Sequence, residues 1–159
     1  MDKCSYANGC QMRDKVKMKD TNIGLAPNVG YGDFVIGSNI SNYLDREHTK
    51  ETYHESTFTN DSYHFINEDI DVWCELDGII NTIRCSSSCI YNGIELIGLD
   101  FKEFVSLVEK KPDDEDIIYI PVNDNRGQNQ HVYEFDSIGL QVWVWRNKIK
   151  TVIISKYEE

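Results

Sequence analysis

The chain has 159 residues, of which 40% are hydrophobic and 27% charged, a composition typical of a folded globular protein. Its formal net charge of -11 disfavours nucleic acid and membrane surfaces as ligands and favours a basic partner, although such a charge is also a common means of solubility. Apolar stretches are too short to span a bilayer, and the five cysteines do not follow a disulfide framework. These features predict a cytoplasmic protein.

Two blocks of the sequence repeat each other. Residues 71–83 align without gaps on residues 141–153, and residues 32–40 align on residues 93–101. The second half holds nine extra residues between the two blocks. Such a repeat predicts two copies of one structural unit. The predicted division is a polar N-terminal extension at 1–29, repeat unit 1 at 30–90 and repeat unit 2 at 91–159, forming one compact pseudo-symmetric domain.

A helix is predicted in each unit. In the second unit Asp100 and Glu103 form a capping box, and apolar residues recur at helical spacing as far as Val108. The helix is expected to stop before Pro112. Its counterpart in the first unit, residues 38–45, is predicted to be shorter and weaker.

Each unit is predicted to end in an antiparallel hairpin. Asp77-Gly78 is a favoured two-residue turn, and the alignment places Asn147-Lys148 at the same point of the second unit. Strand alternation then assigns each side chain to a face. The predicted core face carries Ile70, Val72, Leu76, Ile79, Ile83 and Cys85, and in the second hairpin Leu140, Val142, Val144, Ile149 and Ile153. The other face carries all three tryptophans, Trp73, Trp143 and Trp145, with Ile80, Val152 and Ile154.

The predicted fold class is therefore α+β, with two tandem helix-on-antiparallel-sheet repeats that each have a C-terminal β-hairpin. The extra residues of the second unit are expected to form a strand at 117–121 and a polar loop at 123–130. Two acidic segments are expected as exposed turns. They are Glu68 and Asp69 in the first unit, and Asp113, Asp114, Glu115 and Asp116 between the second helix and its strand.

The tryptophan face needs a cover, because the solvent side of a one-sided sheet is normally polar. Either the sheets or residues 1–29 pack on it, or it binds a partner through aromatic anchors with an acidic rim. On the second interpretation the partner-binding residues are Trp73, Trp143, Trp145, Asp71, Glu75, Glu68, Asp69, Asp113, Asp114, Glu115 and Asp116.

No motif for catalysis is recognised. The histidines and cysteines lack the spacing of a metal site, and nucleophile elbows, phosphate loops and dinucleotide fingerprints are missing from the sequence. The acidic run lacks the alternating ligands and glycine of a calcium loop. We predict no catalytic residue, metal or cofactor, and interpret the chain as a protein other than an enzyme.

The order of glycine, apolar strand, short helix, aromatic strand and Val-Trp hairpin resembles the tandem repeat of the beta-lactamase inhibitory protein and BamE families over most of residues 30–156. The motifs that carry it are Gly32 to Ile40 and the pairs Val72-Trp73 and Val142-Trp143. The resemblance implies helices packed on an antiparallel sheet and a binding role.

As a small acidic protein the chain is also similar in type to the immunity proteins of contact-dependent inhibition and other polymorphic toxin systems. This resemblance implies a cognate toxin domain as partner, often a basic nuclease, whose active or substrate-binding site is occluded. The predicted function is such inhibition. The alternative is a non-enzymatic adaptor or assembly factor of the BamE type.

Overall fold

The computed structural model describes residues 24–54 and 59–156. Its first half contains β1 (Leu25–Ala26), β2 (Gly30–Tyr31), β3 (Phe34–Val35), a 3-10 helix (Ile40–Asn42), β4 (His48–His54), β5 (Thr59–Phe65), β6 (Ile70–Cys74) and β7 (Ile80–Cys85). Its second half contains β8 (Ile90–Tyr91), β9 (Ile94–Glu95), α1 (Phe101–Val108), β10 (Asp114–Asn123), β11 (Arg126–Phe135), a 3-10 helix (Asp136–Ile138), β12 (Leu140–Trp145) and β13 (Lys148–Ser155).

Eight of these strands form a single antiparallel sheet in the order β10-β11-β12-β13-β7-β6-β5-β4. The two halves join where β13 pairs with β7, with Val152 opposite Cys85 and Ile154 opposite Ile83. The described residues contain one α-helix. The predicted fold class, two tandem helix-on-sheet α+β repeats, is therefore wrong. The protein is predominantly β, and one sheet runs through both halves.

Helix α1 begins where the capping box predicted. The Asp100 side chain accepts a hydrogen bond from the N–H of Lys102 at 3.0 Å, and Glu109 ends the helix in a left-handed conformation. The first half has only the 3-10 turn at the matching position. Its sequence, Ile40-Ser41-Asn42, combines a β-branched residue with two short polar ones, all of low helix propensity. The α-helix predicted at residues 38–45 of the first unit is therefore wrong: this segment forms only a short 3-10 turn.

The core lies on one face of the sheet, beneath α1 and the three short strands β1 to β3. Residues of β6 and β12 alternate between buried and partly exposed, as expected for strands with a single core face. Phe104 of α1 packs edge-on against Phe135 of β11, with ring centroids 5.4 Å apart, and both are essentially inaccessible to solvent.

Among the described residues, no helix has the length and hydrophobicity that a membrane-spanning helix requires.

Corresponding backbone hydrogen bonds recur in the two halves. The N–H of Ile80 donates to the carbonyl of Ser38 at 2.9 Å, and the N–H of Ile149 donates to the carbonyl of Leu99 at 3.0 Å. Each contact ties the segment before the helical turn to the second strand of the Val-Trp hairpin. The sequence repeat therefore corresponds to a repeated local contact within the one sheet.

The first hairpin departs from the predicted register near its turn. Pairing follows the prediction as far as Trp73 opposite Thr82, but a bulge then places Cys74 opposite Ile80. Ile80 is consequently fully buried and Leu76 is 65% exposed, the reverse of the predicted assignment. A β-bulge adds one residue to one strand and so moves later side chains to the other face.

The second hairpin turns one residue earlier than predicted. Arg146 and Asn147 both have positive φ, 53° and 66°, as the central positions of a type I′ turn require. A bulge after Trp143 then shifts the register by one residue and places Val142 opposite Val152. Val152 and Ile154 consequently face the core and are fully buried, whereas the predicted core residue Ile153 lies on the other face. The gapless alignment caused this error, because the second turn is one residue shorter than the first.

The extra residues of the second half lengthen a helix and a hairpin instead of forming a loop. Strands β10 and β11 pair from Asp114 opposite Glu134 to Asn123 opposite Arg126. The predicted polar loop at 123–130 and the predicted acidic loop at 113–116 are both wrong. Edge strands tolerate charged side chains because one of their sides stays in solvent, which is why an acidic segment is compatible with β structure here.

Most of the predicted N-terminal extension, residues 1–23, lies outside the described residues. Its last part is ordered: Leu25 and Ala26 pair with Tyr31 and Gly30. Leu25 is 7% exposed and belongs to the core cluster.

Candidate functional site

The three tryptophans lie on the face of the sheet opposite α1. Trp73 stands across from Ser62 and Thr82, and Trp143 across from Val132 and Thr151. All three indoles are partly exposed. We call this side of the sheet the tryptophan face.

The tryptophan face is concave. A cleft of about 290 Å³ is lined by Trp73, Arg84, Ile120, Gln130, Trp143, Thr151 and Ile153. Ile120 comes from the edge strand β10, and Trp73 from β6, five strands away. In a flat sheet those strands would be about 24 Å apart. They line one cleft because the long β10–β11 hairpin curves over the face. Val132, which belongs to β11 and lies across from Trp143, is 4% exposed although it lies outside the main core cluster.

A second and more polar cleft adjoins the first. It measures about 460 Å³ and is lined by Thr49, Glu51, Tyr53, Asn60, Ser62, His64, Asp71, Trp73 and Arg84. Trp73 and Arg84 line both clefts, which therefore form one groove across the sheet from β4 to β10. We call this the tryptophan groove.

An ionic network lies at the centre of the groove. Arg84 donates to one carboxylate oxygen of Asp71 from Nη2 at 2.6 Å and from Nε at 2.9 Å, while His64 Nδ1 lies 2.8 Å from the other oxygen. The guanidinium carbon is 5.8 Å from the Trp73 ring centroid. Charge-assisted bonds of this kind fix side-chain geometry. Asp71 therefore orients Arg84 against Trp73, and both of its carboxylate oxygens are already paired within the protein.

Trp145 lies apart from the groove, near the turn of the second hairpin. The Arg146 guanidinium lies 4.3 Å from its ring centroid and the Lys150 ammonium 5.5 Å, both within cation–π range. The surroundings of Trp145 are thus cationic, whereas the sequence predicted an acidic rim for the whole face.

The predicted acidic residues do not gather at one site. Asp69 lies beside the groove, 3.5 Å from His64 Nε2, and Glu68 bonds Arg46 at 3.1 Å. Glu75 is exposed beside the turn of the first hairpin. The remaining four lie at the start of the edge strand: Asp113 directly precedes it, and Asp114, Glu115 and Asp116 are its first residues. Asp113 accepts a hydrogen bond from the Asp136 N–H at 2.7 Å, and Glu115 contacts His131 at 2.8 Å.

Sequence patterns do not identify several residues of the groove. Arg84 was recognisable, because hairpin pairing places it across from Asp71, but it was not proposed as a site residue. Tyr53 and Ile120 gave no local signal, since they reach the groove only through the pairing order and curvature of the whole sheet. A linear pattern does not contain that information.

The groove is lined by aromatic, polar and charged side chains. Its lining combines two indole rings, hydroxyl and amide groups and an ion pair. Hydrogen bonding to Glu51 raises the pKa of Tyr53. The described residues contain no group of three side chains able to hold a metal ion. No family model, curated protein or solved structure matches the chain.

Proposed function

We propose that this protein is an immunity protein that binds a cognate toxin domain in the tryptophan groove and blocks the toxin's active or substrate-binding site. The observation that supports it best is the groove itself, with Trp73 and Trp143 lining one concave surface. Interface hot spots are enriched in tryptophan, tyrosine and arginine, which become well packed and desolvated when the partner binds. The oriented Arg84 adds such a group between the two rings.

The shape of the groove suits a protein partner. It crosses all eight strands of the sheet, so a protruding loop or hairpin with its flanks can lie along it. Its polar end near Glu51 adjoins an apolar end near Ile120 and Ile153. A partner that fills it buries apolar surface at one end and forms hydrogen bonds at the other, the division seen in protein interfaces.

The charge of the chain suits a basic partner. A net charge of -11 attracts a basic domain and speeds its encounter, while the groove supplies the short-range contacts. A toxin that acts on nucleic acid carries a basic surface for its substrate. Covering that surface with an acidic protein both competes with the substrate and screens the charge that draws the substrate in.

The proposal places the protein in the cytoplasm of the cell it protects. The buried cysteines Cys74, Cys85 and Cys89 are unpaired, which suits a reducing compartment. Inhibition in this setting requires no catalytic group on the immunity protein.

The proposal predicts that a toxin domain is encoded directly upstream of this chain, and the test uses that domain. We expect the chain to protect cells that express this domain and to bind the purified domain with nanomolar affinity. Trp143→Ala should weaken binding at least about 30-fold, the effect of losing a hot spot of about 2 kcal/mol. Trp145→Ala is the matched control, because it removes the same side chain from the same strand outside the groove.

Three results distinguish the proposal from its rivals. Binding and protection that both fall with Trp143→Ala support it. Binding without protection would point to the adaptor function, and equal losses for both tryptophan variants would remove the groove as the interface. Melting temperature measured on the same variants separates loss of contact from loss of folding.

A further inference from the structure

The polar cleft of the tryptophan groove has the dimensions of a binding site for one long side chain. Its volume is about 460 Å³, within the range of about 300–1,000 Å³ that is typical of small-ligand sites. Its walls come from four neighbouring strands, β4 to β7, whose alternate side chains point to this side of the sheet. The chemistry of those side chains therefore decides which ligand the cleft accepts.

One carboxylate in the cleft has no cation beside it. Asp71 is neutralised by Arg84, which bonds it at 2.6 and 2.9 Å. Glu51, by contrast, forms no ion pair with any residue that the structure describes. The next residue, Lys50, projects from the opposite side of its strand, where its ammonium lies 3.8 Å from Asp61. The negative charge of Glu51 is thus left to the cleft.

The protonation of His64 does not change the sign of the charge in the cleft. His64 lies between two carboxylates, with Nδ1 2.8 Å from Asp71 and Nε2 3.5 Å from Asp69. Even a protonated His64 adds only a second positive charge to that of Arg84. Three carboxylates, Asp69, Asp71 and Glu51, oppose these two cations. The cleft is therefore negative in either state of the histidine and attracts a cation.

The cleft also presents hydrogen-bond acceptors. One Glu51 oxygen, Oε1, accepts a hydrogen bond from the Tyr53 hydroxyl at 2.6 Å, which fixes the position of the carboxylate. In the described part of the chain no group bonds to its other oxygen, nor to the side-chain oxygens of Asn60 and Ser62 in the same cleft. An arginine guanidinium carries five N–H donors in one plane and no acceptor. It therefore matches a surface of carboxylate, amide and hydroxyl oxygens.

Two aromatic rings complete the cleft. Tyr53 and Trp73 both line it, and Tyr53 is 48% exposed, so its ring is accessible to a ligand. A guanidinium stacks on aromatic faces more readily than an ammonium does. The chain makes this contact elsewhere, since the Arg46 guanidinium lies 4.8 Å from the Phe34 ring centroid. Both the charge and the rings of the cleft therefore favour arginine.

We propose that the polar cleft binds the guanidinium group of one arginine side chain, with Glu51 as its anionic partner and Tyr53 as its aromatic wall. The source of the arginine rests on the proposed function, under which it belongs to the toxin domain. Lysine suits the cleft less, because its ammonium is a point charge without a plane to stack. An anionic ligand is disfavoured, because Arg84 already bonds Asp71 and Glu51 would repel the ligand.

A titration with acetyl-arginine methylamide tests the site itself. The indole N–H signals of the full chain are followed by NMR, and we expect a saturable shift of the Trp73 signal. The Trp145 signal should not shift, because Trp145 lies beside two cations. Glu51→Gln should weaken binding at least about 5-fold through loss of a charge-assisted hydrogen bond. Glu103→Gln is the matched control, since it removes one carboxylate from α1 on the other side of the sheet.

Three outcomes of this titration would overturn the proposal. One is a Trp73 signal that does not respond, and another is an equal response in the parent and Glu51→Gln proteins at equal melting temperature. The third is stronger binding of acetyl-glutamate methylamide, which would assign the cleft to an anion through Arg84. Equal binding of acetyl-lysine methylamide would contradict the assignment to a planar guanidinium.

Binding of the toxin domain separates this inference from the proposed function. A loss of at least about 5-fold with Glu51→Gln and none with Glu103→Gln supports both. If Trp143→Ala weakens toxin binding and Glu51→Gln does not, a toxin arginine in the cleft is ruled out while the proposed function stands. If the parent chain does not bind the toxin domain, the proposed function fails, and the titration alone decides whether the cleft is an arginine site.

Discussion

Phe104→Ala tests whether the single described helix holds the sheet in place. Phe104 is fully buried and is the residue of α1 that the core encloses completely. Its ring meets Phe135 at 83° with centroids 5.4 Å apart, an edge-to-face contact worth roughly 1 kcal/mol beyond area burial. Replacing a buried phenylalanine with alanine costs about 3–5 kcal/mol. At about 2–4 °C per kcal/mol for a chain of this size, the melting temperature should fall by about 10 °C.

Urea denaturation of the parent and Phe104→Ala proteins measures this loss directly. Phe101→Ala is the matched control, because Phe101 stacks on Tyr133 at 4.1 Å but remains partly exposed, so its loss should be clearly smaller. A loss below about 1 kcal/mol for Phe104→Ala, or equal losses for the two variants, would refute the packing of α1 on the sheet.

Three further predictions concern stability and titration. Gly139→Ala should cost at least about 2 kcal/mol in urea titrations, because Gly139 has φ +67 and a Cβ there would collide with the Ser155 carbonyl; Gly98→Ala, with φ +89 but open space around it, should cost less, and equal costs would contradict this reasoning. Burial alone would raise the pKa of Glu95, but hydrogen bonds from the Cys89 N–H, the Ser88 hydroxyl and the Ile97 N–H outweigh it and lower the pKa. The stability from this carboxylate is therefore present above its unfolded pKa of about 4.3 and lost as pH falls through the folded value, so the advantage of the parent over Glu95→Gln should shrink below about pH 4.3, and a constant difference would argue against it. Burial raises the pKa of Cys74 to about 12, so a thiol reagent at pH 8 should modify Cys74 no faster than the protein unfolds, and fast modification of the native protein would show that this thiol is accessible.

Local patterns were sufficient where local chemistry decides the structure. The Asp100 cap and the apolar spacing of residues 101–108 located the helix to its first residue. Cross-strand pairs from Ile70 to Trp73 follow directly from alternation around the first hairpin. The same alternation placed the tryptophans away from the helix. In each case the signal lies within about ten residues of the structure that it predicts.

The sequence predictions are wrong where a single inserted residue sets the strand register, or where pairing with a strand distant in sequence decides whether a segment forms a strand. In the second hairpin a bulge follows Trp143 and the turn lies at Arg146-Asn147, and Val152 and Ile154 face the core. A gapless alignment with the first hairpin predicts neither the bulge nor the position of this turn. The sequence predicts a loop and a short strand within residues 114–123, because acidic residues have low β propensity. They form a long strand because β11 supplies pairing along its whole length and the edge leaves the carboxylates in solvent.

The groove arises from the difference between the two halves. The hairpin of the first half, β4 and β5, has seven-residue strands, whereas β10 and β11 each have ten. Sheet twist accumulates along a strand, so the longer pair curves further over the tryptophan face and carries Ile120 to a cleft that Trp73 also lines. Shortening β10 and β11 by the same number of residues at their turn would remove this wall while leaving the core face unchanged. The repeated contacts therefore account for the scaffold, and the unequal hairpins account for the concave surface that we propose as the binding site.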